Sequence, residues 1–159
     1  MDLTIKMNDG YFNYRVAAVI IHNNKLLVMY NQETDTYYLP GGRVKLHESS
    51  QTALKRELKE ELSININHFR PLWFNENFFI EESIGEKFHE LGVYYLVDIK
   101  DTEFNHFENA FILKENGRIN HFKWIAFENL EDQIVYPLFL KDRISSLPAQ
   151  LEMITEYEY

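Results

Sequence analysis

The chain contains no cysteine. That one absence removes disulfides, thiolate metal sites and thiol nucleophiles together. Long apolar runs are also missing. The longest, Val16 to Ile21, falls far short of the ~20 residues that cross a bilayer as a helix. The opening MDLTIKMNDG has no basic stretch followed by an apolar one, so a secretory signal is not expected and a soluble, cytoplasmic protein is. Positive charge is scarce, with 16 Lys and Arg against 25 Asp and Glu and a formal net charge of −9. A surface that coats nucleic acid is normally basic, so no extended nucleic-acid surface is expected. A phosphorylated small molecule stays open as a substrate, because bound cations invert the field of a carboxylate-rich pocket.

Aromatic residues are plentiful, with ten Tyr and twelve Phe among 159 residues. Such a surplus fills a core or offers flat faces to a base, and composition does not choose between them. No internal repeat, low-complexity tract or linker interrupts the chain, so residues 1–159 are read as a single domain.

Residues 3–7 have strand character. Arg15 to Ile21 and Lys25 to Tyr30 are buried-strand runs joined by His22-Asn23-Asn24, which predicts a hairpin between them. Tyr37 to Leu39 is a short strand stopped by Pro40-Gly41-Gly42. Ser49 or Ser50 caps a helix running to about Leu62, with Leu54, Leu58 and Leu62 as its apolar stripe. Leu72 to Ile80 and Phe88 to Ile99 are two long strands, with EESIGEK between them as a hairpin loop. Gly92 inside the second marks a bulge or a close approach. Asn116-Gly117 is a turn, His121 to Phe127 a strand, and Glu128 to Gln133 a helical turn. Leu138 to Leu147 reads as a final helix, and the acidic tail as loose. The order of elements predicts an α+β domain whose mixed β-sheet is layered against helices.

The feature that demands chemistry is the helix after Gly42. Glu57, Glu60 and Glu61 stand at i, i+3 and i+4, so their carboxylates share one face within a ~100° arc. Like charges that close repel, and a divalent cation reverses the sign. Hard cations such as Mg²⁺ take carboxylate oxygens and bring phosphates with them. The competing bland account is a solvated helix face balanced by Lys55 and Lys59.

In register with these carboxylates are Gly42, then Glu48 after five intervening residues, and Arg56 after seven more. Together with Leu58, Leu62 and Ile64, the stretch from Gly42 to Ile64 resembles the Nudix box, G-x5-E-x7-R-E-U-x-E-E-x-G-U, and YYLPGG resembles its lead-in. His47 stands where Gly often precedes the box Glu, Lys45 where an acid is frequent, and Ser63 in place of the last Gly. None of the three removes a box carboxylate.

The resemblance implies a Nudix (MutT-like) fold and a hydrolase that uses Mg²⁺ or Mn²⁺. Such an enzyme splits a nucleoside diphosphate linked to another moiety, or a nucleoside triphosphate. It implies Glu57, Glu60 and Glu61 as metal ligands, joined by a backbone carbonyl of Gly42 or Gly41. Arg56 and Glu48 would brace them, and Glu57 is the first choice of base, with Glu103 or Glu108 as distant alternatives. Substrate contacts are expected from Gly41, Tyr38, Phe79 and His89. Trp73, Phe74, Phe78, Tyr37 and Tyr94 are further aromatic candidates that read mostly as core, as does Trp124; Glu90 beside His89 reads mostly as surface. A homodimer is compatible with the resemblance. The alternative function is a Nudix-fold nucleotide or ADP-ribose sensor without catalysis, which would be expected to lose box carboxylates. A Nudix-fold isomerase commonly needs a Cys, which is absent.

Overall fold

The structure is a computed structural model and describes residues 1–159. An antiparallel pair, β1 (Thr4–Met7) and β2 (Gly10–Val19), opens the chain. A short β3 (Ile21–His22) then turns back into β4 (Lys25–Asn31) through Asn23 and Asn24, at φ 50° and 57°. Two left-handed residues make the two-residue turn whose twist suits a hairpin, and Asn adopts that backbone at low cost. The expected pairing of Arg15–Ile21 with β4 is confined to this short piece. The body of β2 leaves for a different sheet, because its apolar run is long enough to be covered on both faces.

Next come β5 (Thr36–Tyr38), β6 (Gly41–Arg43), α1 (Ser50–Leu62), β7 (His68–Glu81) and β8 (Glu86–Asp98). They are followed by β9 (Ala110–Glu115) and β10 (Arg118–Ala126), which meet at the predicted Asn116-Gly117 turn. A 3₁₀ turn (Phe127–Asp132), β11 (Val135–Tyr136), α2 (Leu140–Arg143) and β12 (Glu152–Tyr157) complete the chain.

One six-stranded sheet runs β1-β2-β8-β7-β12, with β6 also on β2. It is mixed, since β2 runs parallel to β8 and β12 parallel to β7 while β7 and β8 are antiparallel. The second sheet runs β11-β5-β4-β10-β9, with β3 on β4. Successive residues of a strand face opposite ways, and the mixed sheet accordingly has two covered faces. On one, Val16, Ala18, Val93 and Tyr95 pack with Ala53, Leu54, Leu58 and Leu62 of α1. On the other, Ala17, Val19, Trp73 and Tyr94 pack with Leu130 of the 3₁₀ turn and Leu140 of α2. This is the α+β arrangement with helical cover on both faces of a mixed sheet.

Two readings of the C-terminal part are corrected. The final helix is only Leu140–Arg143, with Leu140 and then Ile144 buried and its other residues exposed. The tail is not loose: β12 lies parallel to β7, and its Ile154 is buried on Asn75 and the Trp73 layer. Gly92 is no bulge; the register shift falls at Pro71/Trp73 instead. The close approach is real, since a Cβ at Gly92 would sit 2.8 Å from the Tyr94 ring.

Candidate active site

Local chemistry sets α1 in place. The Ser49 hydroxyl accepts the N–H of Thr52 at 3.1 Å, which caps the first turn. The helix ends at Ser63, φ 57° and ψ 33°, whose N–H donates to the Lys59 carbonyl. That left-handed stop is normally given to Gly. His47, at φ 68°, takes the same backbone region. Both box departures from Gly therefore keep a glycine-type conformation with a side chain attached.

Arg56 is the hub of the site. Its Nε and Nη2 donate to the two oxygens of Glu48 at 2.8 and 3.0 Å. Its Nη1 donates to Glu57 Oε1 at 2.7 Å, and Nη2 also reaches the Arg43 carbonyl at 3.0 Å. Glu60 lies 3.5 Å from Nη1. The hydrogen bonds from Arg56 hold the Glu48 carboxyl below its ordinary value, and Glu48 in turn raises that of Arg56. Glu48 also caps the loop before α1 by accepting the Lys45 N–H at 2.9 Å.

Glu61 is buried beside this group. Its Oε1 accepts the Gly41 N–H at 3.2 Å, and its Oε2 is buried with no partner. Burial first, and then the charge of Glu57, push its carboxyl up to about 8. Gly42 faces Glu57 so closely that a Cβ there would lie 2.4 Å from the carboxyl carbon.

The donor set fits a hard divalent cation: carboxylate oxygens along one helix face, a Gly-Gly backbone against them, and one buried carboxylate oxygen lacking any donor. No three of these side chains converge into a closed ligand cluster by themselves. Glu57 is turned onto Arg56, Glu61 onto the Gly41 amide, and Glu60 is the most exposed of the three.

The other expected residues divide. Tyr38 is half-buried within the field of Glu61, which adds to burial in raising its hydroxyl pKa. The Gly41 amide, expected to meet substrate, is committed to Glu61. Phe79 stacks on Phe88, with ring centroids 5.2 Å apart. His89 pairs with Phe12 and Phe78, so it faces away from its neighbour Glu90, and it stacks on Phe78 at 4.4 Å. Glu90 shares the Arg15 side of the sheet and is buried, which corrects the surface reading. Trp73, Tyr94 and Trp124 are buried as expected; Tyr37 and Phe74 are half-buried. Glu103 is bound to Asn65, accepting its N–H at 3.1 Å and its side-chain amide at 2.9 Å, and these bonds lower its carboxyl to about 2. Glu108 sits 3.6 Å from His106. Neither is directed at the box.

Two residues that bear on the site escaped the sequence reading. Glu115, at the end of β9, has its carboxyl pKa raised by burial and then by Glu60 and Glu57. Arg15 on β2 acts with its charge on Glu61 and on Glu90 alike. Glu115 had a sequence signal, since it immediately precedes the Asn116-Gly117 turn.

Fold and site together define a mixed-sheet α+β protein with an arginine-braced carboxylate helix. The NUDIX domain family model matches residues 12–142, and the chain belongs to this family. No curated protein sequence matches it. Among solved structures it is similar to a MutT NUDIX hydrolase from Burkholderia pseudomallei, at 24% identity and TM-score 0.58, over 84% of this chain and 95% of that one. A mutator MutT protein from Bacillus halodurans is similar at 12% identity and TM-score 0.66, over 91% and 90%. An ADP-ribose pyrophosphatase from Streptococcus suis is similar at 15% identity and TM-score 0.54, over 90% and 98%. At these identities the likeness is one of fold. No helix of the chain is long and apolar enough to cross a membrane.

Proposed function

We propose that this chain hydrolyses the phosphoric anhydride bond of a nucleotide, with Mg²⁺ or Mn²⁺. The substrate is a nucleoside diphosphate linked to a second moiety, or a nucleoside triphosphate. Water adds to one phosphorus as the bridging oxygen leaves with the other, so that NDP-X gives NMP and phospho-X. Glu57, Glu60 and Glu61 would hold the cation, joined by the Gly42 carbonyl. Bound there, the cation supplies Lewis acidity and lowers the pKa of water.

The chain's own residues do the rest. Arg56 and Glu48 fix the Glu57 carboxylate, and the Gly41 amide fixes that of Glu61. Glu57 receives the proton of the attacking water, with Glu115 as the second carboxylate facing the same space. Tyr38, beside Glu61, lines the substrate path. The observation that carries the reading is the Glu61 carboxyl: buried, with one oxygen left without a donor, next to a Glu57 locked by arginine. Buried carboxylates in such a setting take a proton or a metal.

The test is a phosphate-release panel of nucleotide sugars, dinucleoside polyphosphates, ADP-ribose, CDP-alcohols and nucleoside triphosphates with Mg²⁺ or Mn²⁺. At least one member is expected to turn over, and Glu57→Gln and Glu61→Gln are each expected to abolish that turnover with the far-UV spectrum unchanged. Near-normal rates in either variant would sink the assignment, as would silence across the panel together with retained nucleotide binding.

A further inference from the structure

The second sheet splits on the side that meets the carboxylate helix. β4 and β10 pair only between Lys25↔Ala126 and Met29↔Phe122. Past that point β4 stays with β5 as far as Asn31↔Thr36, while β10 stays with β9 as far as Arg118↔Glu115. Two hairpin arms therefore leave one sheet. Tyr30 and Asn31 stand on one side of the slot between them, and Ile119 to His121 on the other. The Gln32 side-chain amide donates to His121 Nε2 at 3.2 Å and ties the arms across it.

The slot runs through the sheet from one face to the other. At one end, Tyr30, Asn31, Gln32, Tyr38, Ile119 and His121 enclose about 390 Å³. Tyr38 packs on the α1 layer beside Glu61, and the charge of Arg118, at the tip of the other arm, also acts on it. At the other end, Tyr30 and His121 lead into a recess of about 440 Å³ walled by Tyr37, Phe111, Ile112 and Lys123. Tyr37 belongs to the opposite layer from Tyr38. A recess of that volume is the size of a small-molecule site.

Its wall selects the occupant. No carboxylate lines the recess, although the chain has 25. The rings of Tyr30 and Tyr37 stand 5.2 Å apart. The Lys123 ammonium lies 5.5 Å from the Tyr37 ring centre and donates to the Tyr37 hydroxyl at 3.4 Å. An ammonium has three N–H donors, so Lys123 keeps two to give. The one proton of the Tyr30 hydroxyl is committed to Asp35 at 2.8 Å. A sugar would bring hydroxyls that this wall leaves without partners, and each costs binding energy. The last phosphate of a nucleoside triphosphate would leave the recess empty. A heteroaromatic ring matches it, with faces for the tyrosines and a ring nitrogen or oxygen for Lys123.

We propose that the slot receives the leaving half of the substrate and that this half ends in a second nucleoside. The substrate class is then the dinucleoside polyphosphates. Water adds to one phosphorus and the bridging oxygen leaves with the other, giving NMP and the second nucleoside with the remaining phosphates. The proposal rests on the hydrolase reading for the direction in which the phosphates run.

Steady-state rates of the full chain with Mg²⁺ test it. The substrates are diadenosine and diguanosine tetraphosphate, each beside the nucleotide sugar and the triphosphate of the same base. The better dinucleotide is expected to exceed its two counterparts in kcat/KM by about 5–100-fold, the worth of one stacked base. Tyr37→Leu and, independently, Ile112→Trp, which fills the recess from its exposed rim, are expected to bring that ratio toward one. Triphosphate turnover is expected to stay within about twofold in both, with thermal melts confirming that each is folded. Similar kcat/KM for all three classes overturns the proposal. So does a preference for the sugar or the triphosphate, or a ratio that survives either substitution. Calorimetric titration with the same ligands in EDTA separates the two readings. Tighter dinucleotide binding that both substitutions abolish, in a chain that hydrolyses nothing, removes the hydrolase reading and keeps the slot. Hydrolysis with no gain from the second nucleoside removes the slot alone, and a chain that neither hydrolyses nor binds these ligands removes both.

Discussion

Arg56 and Glu48 meet as two planar forks, Nε to Oε1 at 2.8 Å and Nη2 to Oε2 at 3.0 Å, with their side chains 20% and 12% exposed. A bidentate pair in that setting orients as well as attracts. The remaining nitrogen of the same guanidinium sets Glu57. Lysine keeps the charge but has no fork. Arg56→Lys is therefore expected to lower turnover by about 10–100-fold and stability by about 1.5–3 kcal/mol. Urea unfolding and steady-state rates on the same preparation check both. A variant unchanged in rate would remove Arg56 from the bracing role.

What could be read beforehand was what is local in sequence. The box needs only spacing along one helix, and the Asn23-Asn24 and Asn116-Gly117 turns need only residues that accept left-handed backbone. What could not be read is set by partners far away. The partner of β2 is β8, about seventy-five positions on, and no local pattern chooses it over the neighbouring β4. The tail alternates too weakly to be recognised as a strand, and it becomes one because β7 offers an open edge. His89 and Glu90 show the sharpest limit. One position of register decides which faces the arginines, and their sequence neighbourhood is the same.

Gly41 and Gly42 serve different ends. Gly41 has φ 145°, and a Cβ there would lie 2.1 Å from the Val16 carbonyl oxygen, so Gly41→Ala strains the backbone of β2 itself. It is expected to cost about 1–3 kcal/mol from conformation alone, with further loss as β6 shifts. Gly42 has ordinary backbone geometry, and the three atoms nearest its Cβ all belong to the Glu57 carboxyl. Gly42→Ala is expected to remain folded with a Tm close to wild type and to lose most activity. Thermal melts paired with rates separate the two cases.

Ser63 and His47 hold left-handed backbone with a side chain attached, at φ 57° and 68°. For an L residue this region costs roughly 1–2 kcal/mol, offset partly by the greater freedom glycine has when unfolded. Ser63→Gly is expected to raise stability by about 0.5–1 kcal/mol, and His47→Gly by a similar amount. Denaturant midpoints check this. A loss of stability in both would show that the side chains make compensating contacts.

Glu61 links metal binding to pH. Its folded carboxyl is pushed up to about 8 from an ordinary 4.5. The folded chain then holds a proton that the unfolded chain has released, so its contribution is complete below about pH 4.5 and is lost as pH rises toward 8. Without metal, stability is expected to fall across that window. A divalent cation competes with the same proton, so Mg²⁺ is expected to raise the Tm more at pH 8 than at pH 5.5. Glu61→Gln is expected to flatten both dependences. Melting curves over pH with Mg²⁺ or EDTA measure them, and an Mg²⁺ shift independent of pH would detach Glu61 from the cation.

The choice of distant carboxylate turns on direction rather than on distance along the chain. Glu103 is spent on the backbone and side chain of Asn65, where it holds the exit of α1, and Glu108 lies against His106. Glu115 instead ends β9 with its charge opposed by Glu60 and Glu57. A carboxylate held near others gains most when a cation or a proton arrives between them. Glu115→Gln is expected to lower kcat by about 10²-fold, the scale of a positioned proton acceptor or ligand, with little change in Tm. Glu108→Gln is expected to leave kcat within about twofold, and Glu103→Gln to lower stability through the helix exit while sparing the rate. The comparison is decisive as a set: if Glu108→Gln is the slow variant and Glu115→Gln is not, the second carboxylate of this site reaches it from the loop before β9, and the field that Glu115 shares with the box has no part in the chemistry.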